Sequence, residues 1–292
     1  MLEEQLERAL APFWTGFSGE ASLALTRFAD GFYYGRNDRR PALAASLIKL
    51  PILVEALRQV EAGKLNLQDR IALTDDEKVE GTGILQDLAA GLQPTLHDLL
   101  TLMIALSDNT ATNLVLNQTG EPQVNALCRE LELTDTWLSG KLAVPEARQN
   151  EAQRRGKRHR TSPADMNQLL VRLVEGRLLG ATATSTALEI LKKQRMSEAL
   201  ARYLPTDAEL EPGTVVVASK SGCLRGVWND AAIVMRPNGE PLYALTVMTD
   251  GATDRGFGWE QEGMMLIARA SRAIFDIMMA EAARRDAPAS SQ

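Results

Sequence analysis

The chain has 292 residues, 45% hydrophobic and 24% charged, with a net charge of −6 and a pI near 5.2. This is the composition of a globular chain long enough for one large domain or two small ones, and its acidity gives no global sign of nucleic-acid or membrane-surface binding. Two cysteines, Cys128 and Cys223, without a C-x-x-C argue against a disulfide framework and a zinc site, and two histidines, His97 and His159, leave few ways to build a His-dependent triad.

Met1 to Leu10 reads as an acidic amphipathic helix. It has neither a basic n-region nor an apolar h-region, so the chain as written carries no secretory signal, and no apolar run approaches membrane-spanning length. Ala21 to Phe28 and Gly31 to Tyr34 are strand-like and split by Ala29-Asp30-Gly31, which suggests a hairpin. Ser46 to Ala62 is nearly all apolar and stops at Gly63, the pattern of a helix buried all round, with Pro51 near its first turn. Thr95-Leu96-His97-Asp98 is a capping box opening a helix to Leu106. Ser107-Asp108-Asn109 interrupts it, and Ala111 to Gln118 resumes helical character.

Gly140 to Thr161 is polar and aperiodic, a length of irregular chain that is usually a functional loop. Its basic run, Arg154 to Arg160, reads as a solvated stretch in an acidic protein rather than an anion site. Ser162-Pro163-Ala164-Asp165 opens another helix, with more helix through about Leu204. The pattern changes at Pro212-Gly213: Thr214 to Ser219 is a β-branched run ending at Lys220-Ser221-Gly222. Ala231 to Met235 and Tyr243 to Met248 flank a Pro237-Asn238-Gly239 turn, and Gly263 to Ala283 is a final amphipathic helix before a tail, Ala287 to Gln292, expected to lack fixed structure. The expected fold is α/β: an antiparallel sheet flanked by helices. Residues 1–45 and 205–292 would form the α/β unit, with 46–204 as an inserted all-helical domain and the active site in the cleft between them.

Four segments carry candidate chemistry. Ser46 and Lys49, three apart at a helix start, share a face, so an amine can reach and activate a hydroxyl. Alone this pattern is weak, because average usage supplies roughly one by chance in a chain of this length. Ser107-Asp108-Asn109 breaks a helix, which frees its side chains to point into a cleft. Glu146 and Asn150 lie on the long loop. Lys220-Ser221-Gly222 offers a cation and a hydroxyl for a carboxylate, and a glycine that admits a close backbone.

S-x-x-K, S-D-N and K-[ST]-G in that order are the set of class A β-lactamases and penicillin-binding proteins. The chain resembles a class A serine β-lactamase over almost its whole length, with Leu102 to Asn113 as the longest local similarity. Anchored on Ser162-Pro163-Ala164-Asp165-Met166, Glu146 falls on that family's loop glutamate and Asn150 on the asparagine four residues later. The loop would be its omega loop.

The resemblance implies a serine hydrolase that opens the β-lactam ring, and with it antibiotic resistance. Ser46 would attack the lactam carbonyl and form an acyl-enzyme, with Lys49, Glu146 or both through a water taking its proton. Backbone N–H groups of Ser46 and Cys223 would form the oxyanion hole, and Ser107 would relay a proton to the leaving nitrogen. Asn109 would hold the substrate's amide side chain, Lys220 and Ser221 would bind its carboxylate, and Gly222 would let its backbone approach closely. Glu146, with Asn150, would activate the water that releases the acyl group.

No metal or organic cofactor is called for, and the partner would be a small molecule, a β-lactam or an acyl-D-Ala-type ligand, acting on a monomer. Localisation would be cytoplasmic as written, or periplasmic or secreted if a leader has been removed. Two departures bear on substrate range. Asn229 falls near where many members carry an Arg, for which Arg225 or Arg255 could substitute. Gly81-Thr82-Gly83-Ile84-Leu85, read as a turn, stands where many carry an aromatic residue. The rivals are a related D-Ala-D-Ala peptidase or general serine esterase, and a sensor that acylates without turnover.

Overall fold

Apolar alternation in the chain's two ends builds one sheet, and the helical middle covers one of its faces. The structure, a computed structural model, describes residues 1–196, 199–206 and 214–286, so the Pro212-Gly213 break and the 287–292 tail lie outside the described residues. Strands β1 (Glu20–Arg27) and β2 (Tyr33–Arg36) form the expected hairpin. Strands β5 (Val216–Leu224), β6 (Val227–Met235) and β7 (Pro241–Asp250) come from the other end of the chain. The antiparallel order is β2-β1-β7-β6-β5, so β7 pairs with β1 along the length of both and β5 is an edge.

Both faces of this sheet are buried, which is why β6 has no exposed residue. On one face Leu23, Leu25, Val234, Tyr243 and Leu245 pack under α1 (Leu2–Thr15) and α9 (Glu262–Asp286). On the other, Ala218, Ala231, Ile233, Ala244 and Met248 continue into the core of the helical block. That block comprises α2 (Lys49–Glu61), α3 (Leu96–Ala105), α4 (Asn109–Thr119), α5 (Glu121–Glu130), α7 (Pro163–Val174) and α8 (Ala181–Lys192). Helix α7 lies directly on the sheet: Asn167, buried, donates to the carbonyls of Ala24 and Ala244 and accepts from Thr26 Oγ1. Among the described residues no helix is long and apolar enough to cross a membrane.

The local signals behave as their chemistry dictates. Thr95 and Asp98 form the reciprocal capping box of α3, and Ser162 caps α7 with Pro163 at the helix start. Three expectations change. Helix α5 is additional to the expected elements: Pro122 sits in the first turn of a helix whose Val124, Leu127 and Cys128 face inward. Lys220-Ser221-Gly222 does not end a strand; β5 pairs with β6 as far as Leu224. The 140–161 loop is not wholly irregular, for it contains a single 3-10 turn, Glu146–Arg148, a short helix α6 (Glu151–Arg154) and a two-residue strand β4 (Arg160–Thr161) paired with β3 (Ala42–Leu43).

Candidate active site

Ser46 sits on a 3-10 turn, Ala45–Ile48, that runs into α2. Residues three apart on such a turn eclipse, so Ser46 and Lys49 share a face. The residue before the nucleophile, Ala45, has φ +47°, a left-handed backbone without glycine. Such a conformation costs an L-residue about 1 kcal/mol or more and persists only where the surroundings impose it.

Lys49 is fully buried on an apolar helix. Its Nζ donates to Ser107 O (2.6 Å), Ser107 Oγ (3.1 Å) and Asn109 Oδ1 (3.0 Å). All three acceptors come from the α3–α4 junction, and the Lys49 ammonium makes no hydrogen bond to Ser46. Burial, and then the Lys220 ammonium, hold Lys49 well below the ordinary lysine range, against weaker pulls from Asp108 and Cys223. Such surroundings favour the neutral amine over the ammonium.

The junction is built for this. Ser107 has φ +53°, which interrupts the helix and turns its carbonyl toward Lys49. Asp108 caps α4 through Ala111 N–H, and its other oxygen accepts from the backbone N–H groups of Ile84 and Leu85. Thr82 Oγ1 donates to the same Ser107 carbonyl, and Thr82 O accepts from Asn109 N–H. Gly81 and Gly83 have φ +114° and +112°, and a Cβ on either would stand 2.5 Å from Asn109 Nδ2 or 2.2 Å from Asp108 Cγ. Gly81-Thr82-Gly83, read from sequence as a turn, is therefore the second wall of the Ser-Asp-Asn junction.

Edge strand β5 closes the other side. A Cβ on Gly222 would lie 2.6 Å from Ser46 N and 3.2 Å from Leu47 N, so glycine is what lets the strand touch the nucleophile's backbone. Lys220 is fully buried, donates to Ser221 O at 2.6 Å, and is pushed down to about 8 by burial, with Asp230 and Cys223 opposing. Ser221 Oγ donates to Met196 O at 2.9 Å. Cys223, half-buried, and Cys128, buried, are not joined in a disulfide. Asn229 points inward rather than at the cleft: it is fully buried and bonded to Leu43 O, Ala44 O and Thr249 N–H. Arg225 stands over the Phe257 ring.

The structure thus gathers Ser46, Lys49, Ser107, Asn109, Lys220, Ser221, Gly222 and Cys223 at the meeting of α2, the α3–α4 junction and β5. Neither the Glu146 nor the Asn150 side chain hydrogen-bonds to any of them. Glu146 is exposed on its 3-10 turn, where its carbonyl accepts from Gln149 N–H, and its carboxylate makes no hydrogen bond or ion pair among the described residues. Asn150 caps α6, donates to Ser139 O at 2.8 Å, and lines a polar cavity of about 170 Å³ under the loop with Glu121, Lys141 and Arg148. The loop is held at its neck by His159, whose Nδ1 accepts from Ser139 N–H at 3.1 Å, and along its length by Asn113, bonded both ways to the Leu142 backbone. Nothing in the basic run marked His159 for that role: the other residues of the run are exposed, while His159 is half-buried.

The model of the Beta-lactamase enzyme family matches residues 2–278. The chain belongs to that family. A β-lactamase of Rhodobacter capsulatus is 25% identical over 271 residues, 93% of this chain and 88% of that one. Among solved structures, a β-lactamase from Sphaerobacter thermophilus superposes with a TM-score of 0.81 at 29% identity, covering 95% of this chain and 98% of that one. The structure of PBP-A superposes at 0.79 with 25% identity, covering 96% of each. For a β-lactamase-family chain the fold is as expected, an antiparallel five-stranded sheet with helices on both faces.

Proposed function

We propose that the protein is a serine β-lactam hydrolase of the class A type. The observation that carries the reading is Lys49: an amine fully buried beside Ser46, bonded to Ser107 and Asn109 and held well below its ordinary pKa. Such an amine accepts the Ser46 proton directly or through Ser107, with no histidine needed. Ser46 Oγ attacks the lactam carbonyl, the C–N bond breaks, and the proton held by Lys49 passes through Ser107 to the leaving nitrogen. Lys220 supplies positive charge for the substrate carboxylate, and Gly222 admits the substrate close to Ser46 N–H. Glu146 activates the water that hydrolyses the ester on Ser46, with Asn150 shaping the loop that carries it.

Purified protein is expected to hydrolyse a chromogenic cephalosporin, and Ser46→Ala to abolish this. Brisk cleavage of a simple ester with no cephalosporin turnover would replace the reading with an esterase. One observation favours a second reading, an enzyme that acylates and deacylates slowly: Glu146 is exposed and unbonded to the cluster. Intact-mass spectrometry separates the two. If Glu146 is the base, Glu146→Ala accumulates a β-lactam adduct on Ser46 that the wild type clears; equal adduct lifetimes remove Glu146 from the mechanism.

A further inference from the structure

Two residues before the nucleophile are held by a side chain that lies outside every motif. Asn229 is fully buried on β6 and commits both of its amide N–H donors to main-chain carbonyls. Its Nδ2 donates to Leu43 O at 2.8 Å and Ala44 O at 3.2 Å, and its Oδ1 accepts from Thr249 N–H at 3.3 Å. The next residue is Ala45, with its left-handed backbone, and then Ser46. Ala44 is gripped from the other side as well, because its N–H donates to His159 O at 3.0 Å. Across the ladder Asn229 pairs with Gly222, the glycine that lies against Ser46 N. One residue therefore ties the segment that feeds the nucleophile to the strand pair that faces it.

We propose that Asn229 is a positioning residue for acyl transfer: its two N–H bonds impose the left-handed turn at Ala45 and so set the Ser46 backbone N–H and hydroxyl against β5. This rests on Ser46 being the nucleophile. It assigns Asn229 no contact with substrate, in contrast to an arginine reaching a carboxylate from that strand. A fully buried amide with both N–H groups on main-chain carbonyls has no donor left to offer a substrate carboxylate. Displacing a nucleophile by about 1 Å can cost about 100-fold in rate, so the effect is expected in kcat.

The test is a rank order. Asn229→Asp keeps the side chain's shape but turns an acceptor toward the Leu43 and Ala44 carbonyls; Asn229→Ser keeps one donor; Asn229→Ala keeps none. Rates of Ser46 acylation by a fluorescent penicillin should fall by about 100-fold in Asn229→Asp, with KM for a cephalosporin little changed, and least in Asn229→Ser. A role in packing alone predicts the reverse, with the isosteric Asp variant mildest, and that order in variants with wild-type circular dichroism overturns the proposal. A rise in KM at unchanged kcat also overturns it, by returning Asn229 to substrate binding. If the wild type takes no penicillin, the β-lactam reading fails while this one stays testable. Labelling of Ser46 by a fluorophosphonate then reports the same rank order, and equal labelling of all four proteins refutes it.

Discussion

In the proposed mechanism Lys49 is the residue on which the chemistry turns. An ammonium in an apolar interior is expensive, and here no carboxylate pairs with it directly; its partners are a hydroxyl, a carbonyl and an amide oxygen. Deprotonation relieves both the burial and the repulsion from Lys220. The sign for activity follows. Below its depressed pKa Lys49 is charged and cannot accept a proton, so the acylation rate should rise with pH and level off earlier than a free lysine would allow. Lys220 acts oppositely: it loses its charge as pH rises through about 8, so KM for a carboxylate-bearing cephalosporin should climb above that point. A steady-state pH profile with KM resolved from kcat checks both limbs, and a KM flat through that range would detach Lys220 from the carboxylate. Lys49→Arg, which keeps a cation but no base, should slow acylation by about 100-fold or more.

Whole elements deliver these groups. The α3–α4 junction works because a cap, Asp108, serves two segments at once: it ends the interruption by capping α4 and clamps Ile84 and Leu85 of the loop opposite. Gly83→Ala should break that clamp, since a Cβ there overlaps Asp108 at a positive φ. The expected result is lost β-lactam acylation with only a modest fall in thermal midpoint, and wild-type acylation would show the loop to be dispensable. The 139–159 loop depends on a neutral imidazole. Burial, then the charges of Arg158 and Lys49, push His159 down to about 4 from 6.5. The unfolded chain therefore takes up a proton between those values that the folded chain refuses, and stability is lost as pH falls through that window. Urea unfolding across the window should show a steeper loss for wild type than for His159→Gln; identical slopes would take His159 out of the acid response.

The molecule as a whole is two cores on either side of one sheet, and the site lies at the edge where they meet. What keeps the helical layer in register with the sheet is polar as well as apolar. Asn167 on α7 reaches the backbone of β1 and β7 together, bridging the strands contributed by the two ends of the chain. Asn167→Ala should cost about 2 kcal/mol by leaving buried carbonyls underbonded. Because the lost bonds join layers, it should lower the urea midpoint without changing its slope. A midpoint equal to wild type would assign the registry to packing alone.

Ser46, Lys49, Ser107, Asn109, Lys220, Ser221 and Gly222 were legible in sequence because each sits in a short run whose spacing is itself chemical: an i,i+3 pair, a helix interruption, a strand with a glycine. The capping box at Thr95, the Ser162 cap and the β1–β2 hairpin were legible for the same reason, since caps and turns are decided within a few residues. Gly81-Thr82-Gly83, Asn229, His159 and Asn167 were not, because their roles are contacts across tens to hundreds of residues, and a side chain carries no mark of the carbonyl it will meet. The sequence alone determined which groups were candidates for reaction and most of the helices and strands, though not α5 or the short elements of the 140–161 loop. Tertiary structure decided that Lys49 turns to Ser107 and Asn109, that Asn229 faces the interior, and that Glu146 stands exposed on its loop. Those outcomes depend on burial and on donor–acceptor geometry, which exist only once distant segments have packed.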